Sequence, residues 1–277
     1  MRQNRKYLKR SFINLYMMFA ALSYIIIFIE PKFAFSLHAF FLIWSYILIV
    51  RNGEFFPVMA LIVYARAFVG FSAASGPVNY TGISVVNNYL PLVLFFLLTR
   101  GKFKPQTALQ RYPWSYIYGA ILIVFSVISG PTAIDVLGER LLPFFLFLLI
   151  IAKDFDLERL SHDFELLMKY LLFATFIVFL LPGYSEATLR YLQEGIVFGK
   201  ESNASIYLGG SLRGQGPFWD PRILGTMCGL MLASTLSAET ATNSRLNIAL
   251  ALGGVLISLS RGSIILTVAV VISYLTS

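Results

Sequence analysis

One cysteine and two histidines in 277 residues leave too few thiol or imidazole groups for a disulfide framework or a His-rich metal site. Charge is scarce as well, at 13% of the chain, with 14 acidic residues against 22 basic ones. There is no low-complexity tract and no internal repeat. No Ser-His-Asp set, phosphate loop or dinucleotide fingerprint can be assembled, and no stretch has the composition of a soluble domain. What is there is apolar: 57% hydrophobic residues, 25 Phe and 15 Tyr, with a mean hydropathy of +0.74. A chain of this kind cannot hide its apolar surface in one water-soluble core and belongs in a bilayer.

The formal charge of +8 would suggest a nucleic-acid partner in a soluble protein. Here the basic residues stand in short blocks between apolar runs, which is the pattern of membrane topology, and no nucleic acid is implied. Arg2, Arg5, Lys6, Lys9 and Arg10 precede the apolar run 12–29, which lacks a small-x-small cleavage site. We read it as a retained first helix with its N-terminus in the cytoplasm.

Apolar runs near the ~20 residues a span needs fall at about 11–29, 33–50, 55–73, 83–99, 114–130, 141–152, 166–182, 221–238, 246–260 and 263–277. The expected fold is therefore all-α, a polytopic transmembrane bundle of about ten helices forming one integral membrane domain over 1–277. Arg51, Arg100, Lys102, Lys104, Arg111, Lys153, Arg159 and Arg245 then share the cytoplasmic side. Lys32, Arg140, Arg190, Lys200, Arg213, Arg222 and Arg261 collect on the disfavoured outer side. The only long loop, about 183–220, is also on that side, and long loops often carry function. The chain ends at Ser277 within or just after an apolar run, which reads as a truncated form or a fragment of a longer protein.

The stretch 209–222 carries glycines, Arg213, Arg222, an aromatic pair and a helix start. Asp220 can serve as N-cap and Pro221 as the first helical residue. A helix N-terminus flanked by two guanidiniums suits a phosphate or diphosphate, and Gly214 and Gly216 allow close backbone approach. The plainer alternative is interfacial snorkelling by both arginines.

Ser260-Arg261-Gly262 interrupts the apolar stretch 246–275 and marks a hairpin on the same outer side. An arginine at membrane depth is costly and points to function; a simple loop charge is the alternative. Arg66 lies roughly 16 Å into the third helix at the helical rise per residue, and should pair inside the bundle or line a wet cavity. Arg140, near Asp135 and Glu139, lies at the outer mouth of the sixth helix.

Other signals are weaker. Asp154-Phe155-Asp156 resembles a metal-holding pair, yet with Glu158, His162, Asp163 and Glu165 it reads as a solvated cytoplasmic loop. His38 reads as a helix-packed or interfacial residue. Gly225-x-x-x-Gly229 is most simply a close-packing face. Asn203-Ala204-Ser205 fits a glycosylation sequon, a pattern common by chance.

Two blocks carry a resemblance. Leu212-Arg213-Gly214-x-Gly216-x-Phe218-x-x-Pro221 enters an apolar helix after a long outer loop, and Leu256-x-x-Leu259-Ser260-Arg261-Gly262-Ser263 follows about 40 residues later. With the many-spanning layout, and with Gly229 following Arg213 after fifteen intervening residues, they resemble the O-antigen ligase and polymerase family of the bacterial inner membrane. The resemblance implies glycosyl transfer at the periplasmic face without metal, nucleotide or other cofactor. The donor would be an undecaprenyl-diphosphate-linked oligosaccharide, and the partners membrane lipid with a chain-length regulator or a lipid A core acceptor. Arg213, Arg222 and Arg261 are the positions carried over, Arg213 and Arg261 as catalytic and Arg222 as substrate-binding; Arg140, Arg66, Gly214 and Gly216 join the substrate-binding set on the reading of the residues themselves.

Family members are expected to have a second large periplasmic loop after the Ser-Arg-Gly helix. In ligases it supplies a base-bearing histidine. This chain stops at Ser277, which leaves Glu186, Glu194, Glu201 or Asp220 as bases. A flippase or transporter of the same lipid-linked oligosaccharide, or an inactive truncated membrane protein, are the alternative readings. A topology reporter fused near Ser205 is expected on the periplasmic side and one near Asp156 in the cytoplasm; the reverse pattern would dismantle the arginine assignment.

Overall fold

The computed structural model describes residues 10–64, 90–98, 117, 121, 124, 157–182, 207–208, 211–214, 216–218, 221–237 and 244–276. The chain divides into two compact units, one of Met1–Phe95 with Ser161–Ser277 and one of Phe96–Leu160. The described residues form helices α1 (Arg10–Ile29), α2 (Ala34–Asn52), α3 (56–64), α4 (Leu90–Leu98), α5 (Leu157–Leu180), α6 (Pro221–Ser237), α7 (Ser244–Ser258) and α8 (Arg261–Thr276). Short 3-10 turns lie at Pro31–Phe33 and Gly216–Phe218. The one ladder pairs β1 (Tyr207–Leu208) with β2 (Ser211–Leu212), with Tyr207 opposite Leu212 and Leu208 opposite Ser211. The all-α class is as expected. Among the described residues two helices, Arg10–Ile29 and Phe35–Asn52, are long and apolar enough to cross a membrane.

Most helix positions follow the apolar runs. Ile117, Ile121 and Val124 are helical inside the fifth expected span, and the sixth lies outside the described residues. One boundary is corrected. α5 begins at Leu157, so His162, Asp163 and Glu165 are helical and do not sit in a solvated loop. Their charge misled the reading because part of that helical turn faces neighbouring helices: Asp163 is buried, and Glu165 is hydrogen-bonded to two of them.

The amino-terminal helices pack around Tyr16, which is fully buried. Its ring stacks on Phe41 at 5.5 Å and meets Trp44 and Phe56 edge-on at 5.3 Å. Its hydroxyl bonds Ser45 Oγ at 2.7 Å, and Ser45 Oγ donates to the Phe41 carbonyl. An aromatic pair contributes about 0.5–1.5 kcal/mol beyond the area it buries, so Tyr16 anchors α1 to α2 and α3. α2 stops at Gly53, whose φ of 64° is left-handed and whose N–H bonds the Ile49 carbonyl at 3.0 Å.

The carboxy-terminal helices are organised around α6, on which both α7 and α8 pack. Small residues set the spacing. A Cβ at Gly225 would collide with the Ser263 hydroxyl and come within 2.6 Å of Ser258 Oγ. One at Gly229 would meet Leu266 at 2.8 Å, and one at Gly254 would collide with Cys228 and meet Leu172 at 2.8 Å. These contacts fix directions: α6 runs antiparallel to α7 and parallel to α8, while α7 runs parallel to α5.

The polarity of α8 is inverted, while α7 is mixed and buries Leu250 and Val255 as well. α8 buries Ser263 and Thr267 and exposes Ile264, Ile265, Val268, Ile272 and Leu275. α7 buries Ala251, Gly254 and Ser258 and exposes Leu252 and Leu256. In water this arrangement leaves many large apolar side chains uncovered.

The close approach at α6 predicts that Gly225→Val destabilises the fold by about 1–3 kcal/mol through overpacking. Gly262 has open space around the position of a Cβ. Gly262→Ala is therefore the neutral comparison in a thermal unfolding scan of the detergent-solubilised protein.

Candidate functional site

Helix α7 ends because Leu259 takes a left-handed φ of 46°, a conformation that costs energy for a branched side chain. Its N–H bonds the Leu256 carbonyl at 3.2 Å. Ser260 then starts α8: its carbonyl accepts from Ile264 N–H at 3.0 Å, and its own N–H reaches Ser258 Oγ at 3.4 Å. The Ser260-Arg261-Gly262 break is thus a tight helix-to-helix turn, with Arg261 as the first residue of α8.

The carbonyls at the end of α7 lack helical partners, as at any helix end. The segment after β2 supplies them. Arg213 Nε–H donates to the Ser258 carbonyl at 2.9 Å and Gly214 N–H to the Ile257 carbonyl at 2.7 Å. The guanidinium therefore sits at the negative pole of the α7 dipole. Arg213 is only 8% exposed. The close approach at Gly214 is to this helix, since a Cβ there would stand 2.8 Å from Ile257 Cδ1.

The next turn closes the loop onto α5. Gly216 has a φ of +57°, and a Cβ would stand 3.0 Å from Thr175 Oγ1. Thr175 is 2% exposed, and its hydroxyl has no hydrogen-bond partner. Pro217 and Phe218 are buried, and α6 starts at Pro221 as expected. Pro221 suits this position because its missing N–H is an orphan there anyway.

Arg222 and Arg261 are exposed, in the first turns of α6 and α8. These turns are neighbours, because Ser263 Oγ lies 3.5 Å from the Arg222 carbonyl, which Thr226 Oγ1 also reaches at 2.8 Å. Neither helix has an acidic residue in its first turn. Two helix N-termini running side by side each present a partial positive charge, and basic residues there are opposed by the dipole unless an anion is present. Electrostatically the arrangement suits a phosphate-bearing ligand.

Arg213, Gly214, Gly216, Arg222 and Arg261 thus come together at one end of α6, α7 and α8. Arg66, Arg140, Asp220, Glu186, Glu194, Glu201 and the Asp154-Phe155-Asp156 segment lie outside the described residues. His38 is buried, as its packing role required, while His162 is exposed on α5. The Gly225 and Gly229 face is a packing face, as read. Sequence reasoning missed the carbonyls of Ile257 and Ser258 and the hydroxyl of Thr175. Backbone acceptors have no sequence signature, although Gly209-Gly210 between two short runs is a recognisable hairpin signal. No protein-family model, curated protein or solved structure matches the chain.

Arg213→Ala is expected to lower stability by about 1–3 kcal/mol, the cost of leaving a buried helix-end carbonyl unsatisfied. Arg261→Ala, at an exposed position, should stay within about 0.5 kcal/mol. Thermal or denaturant unfolding of the two purified variants distinguishes them.

Proposed function

We propose that this chain is a polytopic membrane protein of the bacterial inner membrane that transfers a glycan from undecaprenyl diphosphate at the periplasmic face, as O-antigen polymerases and ligases do. The observation that carries the reading is that the Arg213-Gly214-x-Gly216 block is held at the helix end just before the Ser260-Arg261-Gly262 block by the Arg213 to Ser258 hydrogen bond, between residues 45 apart. The inverted polarity of α8 and the exposed leucines of α7 support the membrane part of it, because lipid and not water suits these exposed apolar side chains. The further membrane helices of the ten-helix bundle belong to the same proposal.

The chemistry follows from charge. Cleaving the bond between the anomeric carbon and the phosphate oxygen leaves an extra negative charge on the departing diphosphate. Arg261 and Arg222, on adjacent helix N-termini, meet that charge in an environment already built to favour anions. Arg213 acts as a positioning residue, holding the loop on α7 so that the two first turns keep their relation. Gly214 and Gly216 serve by letting that loop lie flat against α7 and α5.

The test is made in the cell, with Arg261→Ala and Arg222→Ala introduced in the gene and the surface polysaccharide resolved on gels. A drop of about 100-fold or more in transfer is expected for Arg261→Ala, with the lipid-linked donor accumulating on the periplasmic leaflet. Unchanged chain length and attachment would sink the site. Accumulation on the cytoplasmic leaflet would point to a flippase instead.

A further inference from the structure

At the end of α6 and α7 away from the arginines, three helices share a polar seam. Glu165 of α5 accepts a hydrogen bond from Ser234 Oγ of α6 at 2.6 Å and one from Asn247 Nδ2 of α7 at 3.3 Å. Ser161 lies one turn earlier on α5, with its Oγ 2.5 Å from Ser234 Oγ. The single hydroxyl hydrogen of Ser234 is given to Glu165, so Ser161 is the donor to Ser234. The carboxylate is thus held from two helices, and among the described residues no Lys or Arg pairs with it.

Two oxygens at this seam are left over. Asn247 is 7% exposed, and with its Nδ2 committed to Glu165 its Oδ1 has no partner. Thr235 is 2% exposed, and its Oγ1 has no partner either. Helix register puts the two face to face. Cys228 packs against Gly254 across the antiparallel α6 and α7, and two helical turns further on Thr235 stands opposite Asn247. They do not bond each other, although a hydroxyl and an amide oxygen are complementary.

A carboxyl group with no cationic partner among the described residues, an orphan amide oxygen and an orphan hydroxyl on three helices form a set of hard oxygen donors. Glu165 is part-buried and accepts two hydrogen bonds, whereas the Asn247 and Thr235 oxygens are buried, where an unsatisfied polar atom is costly. A divalent ion commonly draws on more than one carboxylate, and the described residues contain no cluster of three or more His, Cys, Asp or Glu side chains. A single monovalent cation satisfies both the charge and the spare lone pairs.

We propose that the seam of α5, α6 and α7 binds one alkali-metal cation, Na+ or K+, between Glu165, Asn247 and Thr235. The cation clamps the three helices at the end opposite the arginines, and this role is independent of what the arginines bind.

The experiment follows thermal unfolding of the full chain in detergent as NaCl or KCl replaces choline chloride at constant ionic strength. A ligand that binds only the folded state raises the unfolding temperature in a saturable way. The expected result is a rise of several degrees with Na+ or K+ and none with choline; whichever ion saturates at the lower concentration is the one the seam takes. Glu165→Gln should abolish the response. Thr235→Val, which keeps shape and removes one oxygen, should raise the half-saturating concentration about tenfold or more, roughly the loss of one good contact.

Equal behaviour in alkali and choline salts overturns the proposal, and so does a response that survives Glu165→Gln. A stabilisation reproduced by acidifying the choline sample means that a proton fills the seam, which overturns it as well. If Glu165→Gln does not fold, Thr235→Val decides alone, and an unchanged half-saturating concentration there rejects the site.

Discussion

The carboxy-terminal half of the structure depends on how the open end of α7 is closed. A helix that stops inside a packed group leaves carbonyls that must find donors. Here the donors are brought from a segment more than 40 residues earlier, the Nε–H of Arg213 and the N–H of Gly214. A charge-assisted bond of this kind contributes about 1.5–3 kcal/mol, and the guanidinium also complements the helix dipole. Once it forms, the following residues have little freedom: Gly216 must turn beside Thr175, Phe218 is buried, and α6 starts at Pro221. The first turns of α6 and α8 are then neighbours, and the two exposed arginines they carry follow from that arrangement.

Between its ends the group is held by close packing rather than by bulk. Gly225 admits Ser258 and Ser263, Gly229 admits Leu266, and Gly254 admits Cys228 and Leu172. Small residues at helix contacts allow backbones to approach closely, so that dispersion and interhelical hydrogen bonds act over short distances. Polar contacts accordingly lie inside, with Ser263 and Thr267 turned toward α6, and branched aliphatic side chains lie outside. The amino-terminal helices solve the same problem with large side chains, packing three rings around Tyr16. The two regions show opposite routes to a tight interface, one by removing volume and one by filling it.

Much of the helical layout was legible in the chain itself. Apolar runs bounded by Gly, Pro and charge located α1, α2, α6, α7 and α8 to within about two residues, because burial and the helical period both leave a mark on composition. Pro221 read as a boundary for a local reason: it constrains its backbone dihedrals whatever surrounds it. Glu165 and its neighbours did not read correctly. A charged helical segment looks like a solvated loop until its hydrogen-bond partners, Ser234 and Asn247, are known, and those lie about 70 and 80 residues away.

The sequence by itself determined that the chain is helical and apolar, that Arg213, Arg222 and Arg261 fall on one side of it, and that Gly225 and Gly229 line a packing face. Composition and spacing are local properties, and these conclusions need nothing more. Only the tertiary structure decided that Arg213 is spent on the end of α7 while Arg222 and Arg261 stay exposed on adjacent helix starts. The difference lies in which carbonyl each guanidinium can reach. That is fixed by the register of helices separated by long stretches of chain, and single residues carry no signature of it.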